Sequence, residues 1–75
     1  MKIVSWNLNG LNATMKNCPF NSDMLGQPDI VCFQEIRTAA EPEIFPGYYH
    51  FWNHAQKSGY AGTALLSKTI PRCML

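Results

Sequence analysis

The chain has 75 residues, a formal net charge of +1 and 47% hydrophobic residues. A chain this short is one small domain at most and buries only about 60% of its unfolded surface, while its hydrophobic content excludes a highly charged disordered segment. No apolar run approaches the roughly 18 to 20 residues of a membrane span, and MKIVSWN lacks a signal peptide's apolar core, so a cytoplasmic protein, or a nuclear one in a eukaryote, is expected.

Lys2 to Trp6 is short, apolar and partly β-branched, and polar residues follow at once, which predicts a buried strand. From Leu11, the apolar residues Leu11, Met15 and Cys18 fall at helical spacing, but Pro19 cannot continue that helix without losing a hydrogen bond. A second short helical turn is expected to open at Pro19 and to end at Gly26-Gln27-Pro28. Asp29 to Ile36, D-I-V-C-F-Q-E-I, reads as a strand covered on both faces, with Glu35 at its C-terminal end. Thr38 to Pro46 carries two prolines and two glutamates and reads as a loop. Tyr48 to His54 alternates as a third strand, its aromatic residues expected in the core. Thr63 to Lys68 resumes strand character, so these last two strands form a hairpin with a long connection. Repeats and low-complexity segments are absent from the sequence.

The order strand, helix, strand, strand, strand is that of an α/β sheet, with its first two strands parallel and joined by a right-handed crossover. In such sheets ligands gather at the C-terminal ends of the parallel strands. Asn7 and Glu35 occupy those ends, about 5 Å apart if the strands are adjacent. An amide oxygen and a carboxylate are hard ligands of the kind Mg²⁺ favours, and Mg²⁺ needs only one or two protein carboxylates, keeping waters that a phosphate displaces. Phosphate-ester hydrolysis follows as a hypothesis. The competing reading is structural: Asn-Gly at 9 and 10 is a favoured turn dipeptide, and a glutamate at a strand end is commonly a solvated charge.

Other motifs carry less. His50 and His54 lie about 13 Å apart on one strand, and the cysteines Cys18, Cys32 and Cys73 form no C-x-x-C pair, so zinc is disfavoured and reduced thiols are expected. Gly59-Tyr60-Ala61-Gly62 lacks the lysine and strand-to-helix setting of a phosphate-binding loop. Near-neutral charge leaves a local nucleic-acid groove open.

Three strings, in order, resemble the exonuclease III family of apurinic/apyrimidinic endonucleases, within the endonuclease/exonuclease/phosphatase superfamily: M-K-I-V-S-W-N-L-N-G-L, P-D-I-V-C-F-Q-E-I-R (28–37) and P-G-Y-Y-H-F-W-N-H-A-Q-K-S-G-Y-A-G-T-A-L-L-S-K (46–68). The resemblance implies a four-layered α/β sandwich, of which residues 1–75 are an N-terminal fragment. It implies a monomeric DNA-repair nuclease that uses Mg²⁺ or Mn²⁺ to cleave double-stranded DNA at abasic sites, with 3′-exonuclease activity. By the same resemblance Asn7 and Glu35 match metal-site residues, and Asn9, Arg37 and Tyr60 match substrate-binding positions, with Lys57 and the backbone of 59–62 as further phosphate contacts.

The sequence also departs from the pattern. Asn12 stands where the family usually has an arginine, Asn17, Pro19 and Asn21 interrupt the family's helix, and the tail Ile70 to Leu75 fits poorly. The family domain has roughly 250 residues, and the later motifs that supply the attacking water, leaving group and remaining metal contacts have no counterpart in these 75. Residues that act as a unit lose activity together, so the isolated chain is expected to be inactive. A truncated or frameshifted gene product, or a fragment of an assembly, with an open sheet prone to aggregate, is the expectation. The alternatives are a non-catalytic remnant or binding module, and a fragment of a LINE-type retrotransposon endonuclease.

Overall fold

A computed structural model of the chain describes residues 1–54 and 61–69. Ile3–Asn7 forms strand β1, Leu11–Asn17 helix α1, Ile30–Gln34 strand β2, Tyr49–His54 strand β3 and Gly62–Ser67 strand β4. The sheet order is β1-β2-β4-β3. β1 and β2 run parallel, with Ile3 opposite Ile30 and Asn7 opposite Gln34, as the strand-helix-strand order requires. β4 lies between β2 and β3 and is antiparallel to both.

One face of this sheet holds the core. Val31 and Phe33 on β2 and Leu66 on β4 are fully buried, and Ala64 is nearly so. Leu11 on α1, Phe20, Ile36 and Phe45 close over them. Phe33 is the hub, its ring centre 5.6 Å from Phe20, 6.1 Å from Phe45 and 6.2 Å from Trp6. Helix α1 has only seven residues, too few to be stable alone in water. Its place is set by Leu11 and Met15 against the core and by the Thr14 hydroxyl, which donates to the carbonyls of Leu8 and Gly10. Cys18, expected on the same apolar stripe, is exposed and instead ends the helix, its N–H donating to Thr14 O at 2.7 Å.

The structure differs from the sequence reading in three further places. The stretch after Pro19 is a series of turns at 22–26 rather than a helical turn. The Asn21 side chain accepts from Met24 N–H, and Gln27 N–H reaches back to Ser22 O; short polar side chains that bond nearby backbone favour turns in this way. Among the described residues, strand β2 is covered on one face, not both. Val31 and Phe33 are buried while Ile30, Cys32 and Gln34 are half-buried, because the elements that cover the sheet lie on the Phe33 side. The register puts Phe51 on the same uncovered face as Cys32 and Leu65. Of the strand-three aromatics, Tyr48 and Trp52 pack on the core and Tyr49 is exposed.

The N-terminal end of the parallel pair is fastened by polar groups. Asp29 accepts from Lys2 N–H at 2.7 Å, and the Tyr48 hydroxyl donates to Pro28 O at 2.5 Å. Burial pushes the Tyr48 phenol above its ordinary value. The Lys2 N–H holds the Asp29 carboxyl below the usual carboxylate range. A lowered native pKa means the stabilisation is present above the unfolded value and is lost as pH falls through the folded one. Wild type is therefore expected to lose more stability than Asp29→Asn on acidification from about pH 5 to about pH 2, read as the difference in urea midpoints. Parallel loss in both proteins would remove Asp29 as a source. Among the described residues no helix is long and apolar enough to cross a membrane.

Candidate metal and phosphate site

The C-terminal ends of β1 and β2 form the site. Asn7 is the last residue of β1 and lies opposite Gln34. Simple alternation along β2 would send the next side chain, Glu35, to the core face with Phe33. Instead Glu35 takes a left-handed backbone conformation, φ 53°. That reversal ends the pleat, turns the carboxylate out toward Asn7, and lets fully buried Ile36 take the inward position. The Asn7 side-chain NH₂ donates to Glu35 Oε2. Arg37, also left-handed at φ 52°, brings its guanidinium Nη2 to Glu35 Oε1 at 2.8 Å.

Non-glycine residues in this region cost on the order of 1–3 kcal/mol each, so the surrounding backbone has to hold them. It does so from both sides. Gly10 N–H donates to Glu35 O and Leu11 N–H to Ile36 O, each at 2.8 Å, while Ile36 and Arg37 donate to Gly62 O and Ala61 O. Asn9, φ 51°, and Gly10, φ 111°, make the return from β1 into α1. A φ of 111° at the helix start is one that glycine adopts without Cβ strain. Asn9 N–H donates to Asn7 Oδ1 at 3.1 Å, fixing the amide that faces Glu35.

Glu35 carries the site's negative charge. The Asn7 amide bond first, and then the Arg37 guanidinium, hold its carboxyl below the usual range, so it is ionised at neutral pH. The pair supplies one carboxylate and one amide oxygen, a hard donor set matching the one or two carboxylates with which proteins hold Mg²⁺. Among the described residues there is no cluster of three or more His, Cys, Asp or Glu.

The structure thus brings together four of the five residues singled out in the sequence, Asn7, Asn9, Glu35 and Arg37. Tyr60, with Lys57, lies outside the described residues. The histidines have separate structural duties. His50 Nε2 accepts from Phe45 N–H and its Nδ1 faces Tyr48 O; His54 Nδ1 faces Thr38 O at 3.0 Å and its Nε2 meets Glu41 Oε2 at 2.7 Å. Asn12, which has no site role in the sequence reading, donates to Thr38 Oγ1 at 3.3 Å. Thr38 follows Arg37 directly, so Asn12, Thr38, His54 and Glu41 together pin the loop that leaves the site. These contacts span up to 26 residues and leave no local signal; only the hydrogen-bonding character of the side chains hints at them.

A mixed sheet flanked by a helix, with an amide and a carboxylate converging at the ends of its parallel strands, defines part of an α/β fold. The chain belongs to the endonuclease/exonuclease/phosphatase family, whose match runs over residues 4–74. Its resemblance is to the exonuclease III-type members. It is 43% identical over 74 residues to the exodeoxyribonuclease of Bacillus subtilis, covering 95% of this chain and 29% of that one. It is 40% identical over 78 residues to DNA repair nuclease APEX1 of Danio rerio, covering 95% and 25%. The fold matches a Neisseria 3′ phosphatase, NExo, solved bound to a product DNA hairpin, with a TM-score of 0.64, 28% identity, and coverage of 96% and 29%. The chain spans less than a third of the length of these relatives.

Proposed function

We propose that residues 1–75 supply one part of the metal and phosphate centre of a DNA-repair nuclease that cleaves the backbone of double-stranded DNA at abasic sites and trims 3′ ends. The observation that carries this reading is the Asn7–Glu35 contact at the ends of β1 and β2, made by a left-handed Glu35 that turns its carboxylate away from the core face. Asn7 and Glu35 would hold Mg²⁺ or Mn²⁺, which when bound offsets negative charge on the phosphate. Asn9 and Arg37, with Tyr60, would position the DNA backbone, a role that fixes register without reading sequence. In a cell such a protein works in the cytoplasm, or in the nucleus of a eukaryote.

The chain alone is read as a fragment of that domain and as inactive. Among the described residues the site has one carboxylate, and both histidines have both ring nitrogens engaged elsewhere, so nothing there is placed as a general base. The test is a chimera in which residues 1–75 replace the corresponding segment of the Bacillus subtilis exodeoxyribonuclease. It is expected to nick an abasic duplex in Mg²⁺ far faster than an undamaged one, while the 75-residue chain alone stays at background. Cleavage of undamaged DNA alone would point to the retrotransposon-type reading. A folded chimera with no activity on either duplex would favour a non-catalytic remnant.

A further inference from the structure

Both oxygens of Glu35 are already occupied by N–H donors, Oε1 by Arg37 and Oε2 by Asn7. Asn7 Oδ1, the other oxygen a cation would use, accepts from Asn9. The two donors to Glu35 are not equivalent. The Asn7 amide is neutral and can keep a bond to one oxygen while the other is used. Arg37 is a full positive charge seated where a cation would approach.

Among the described residues the Arg37 side chain makes no bond except the one to Glu35, and it is 47% exposed. Exposed ion pairs of this kind are weak. Arg37 can therefore leave at little cost, and its left-handed backbone, tied to Ala61 O, keeps it beside the site when it does.

From this geometry we infer that Arg37 is a built-in competitor for the metal position: it seats on the Glu35 carboxylate of the metal-free chain and must release that carboxylate before a divalent cation is bound. The inference rests on the reading of Asn7 and Glu35 as metal-site residues. Arg37 thereby lowers the chain's cation affinity, and metal binding leaves its guanidinium displaced from Glu35.

The probe is Mn²⁺, with the free ion followed by electron paramagnetic resonance during titration of the 75-residue chain. Arg37→Gln is expected to bind Mn²⁺ about threefold to fivefold more tightly than wild type, the upper part of what removal of an exposed ion-pair partner allows. Lys68→Gln, an equal loss of charge at the opposite end of β4, is expected to stay within about twofold. Equal or weaker binding by Arg37→Gln, or equal tightening by Lys68→Gln, would overturn the inference. Should Arg37→Gln not fold, wild type decides: added Mg²⁺ must shift the Arg37 guanidinium resonance in NMR spectra, and a shift of the Glu35 carboxylate signal alone overturns it. Glu35→Gln separates the two levels. Weakened binding in Glu35→Gln beside an unaltered Arg37→Gln sinks only the competitor role, whereas Glu35→Gln binding like wild type sinks the metal site and the competitor with it.

Discussion

Replacing Phe33 with alanine is expected to destabilise the chain by about 3–5 kcal/mol, the range for removal of a large aromatic from a close-packed interior. Phe33 has no solvent exposure, and its ring meets those of Trp6, Phe20 and Phe45. Each of those rings comes from a different part of the chain: β1, the turns after α1, and the loop before β3. Truncation therefore removes transfer energy and also takes out a ring that packs against all three segments. A small domain has only about 5–15 kcal/mol in total, and at 75 residues the lower end applies, so the variant is expected to lose a cooperative urea transition near room temperature. Cys32→Ala is the matched control. Cys32 is the adjacent residue on the same strand, but it is half-buried on the uncovered face, and its loss is expected to cost about 1 kcal/mol or less. Similar midpoints for the two variants, read by tryptophan fluorescence, would mean that the core does not sit on the Phe33 face.

That contrast between neighbours marks what the sequence made legible. The four strands were readable to within a residue or two, because each is an apolar or alternating run bounded by polar residues, and the strand-helix-strand order fixed β1 and β2 as parallel neighbours. Local pattern carries no record of non-local pairing, so the insertion of β4 between β2 and β3 was invisible. So were the two plugs of the core. Phe20 follows a proline and Phe45 sits in a proline-rich loop, and neither belongs to a periodic segment; yet both are buried.

At the candidate site, which residues meet was legible and their geometry was not. Asn7 and Glu35 could be placed at adjacent strand ends, but period-two alternation assigns Glu35 to the wrong face. The correction comes from a single left-handed residue. Glutamate has no marked preference for that conformation, so no sequence signal announces it; the flanking backbone bonds to Gly10, Leu11 and Gly62 impose it. Asn12 is the converse. It looked like the point where the sequence leaves the family pattern, and in the fold it becomes a tether to Thr38. The amide at this position holds the loop after Arg37.

Glu35→Gln is the substitution expected to affect function most. Glutamine has nearly the same shape, can occupy the same backbone, and can still accept one bond from Asn7 or Arg37, so the fold should persist with a urea midpoint close to wild type. What disappears is the charge. Divalent cations of the Mg²⁺ type bind hard, preferably anionic oxygen, and among the described residues Glu35 is the only carboxylate in contact with Asn7. Mn²⁺ affinity of the isolated chain is therefore expected to fall by at least about tenfold. In the chimera with the Bacillus subtilis relative the loss appears in kcat on an abasic duplex and not chiefly in KM, because charge stabilisation of this kind acts on the transition state more than on bound DNA. A deficit of roughly 10²- to 10³-fold corresponds to about 3–4 kcal/mol of lost transition-state stabilisation. If kcat were unchanged while KM rose, Glu35 would act in placing DNA rather than in the chemistry. An unaltered kcat and KM together, in a folded chimera, would reduce the Asn7–Glu35 contact to a structural clasp between β1 and β2.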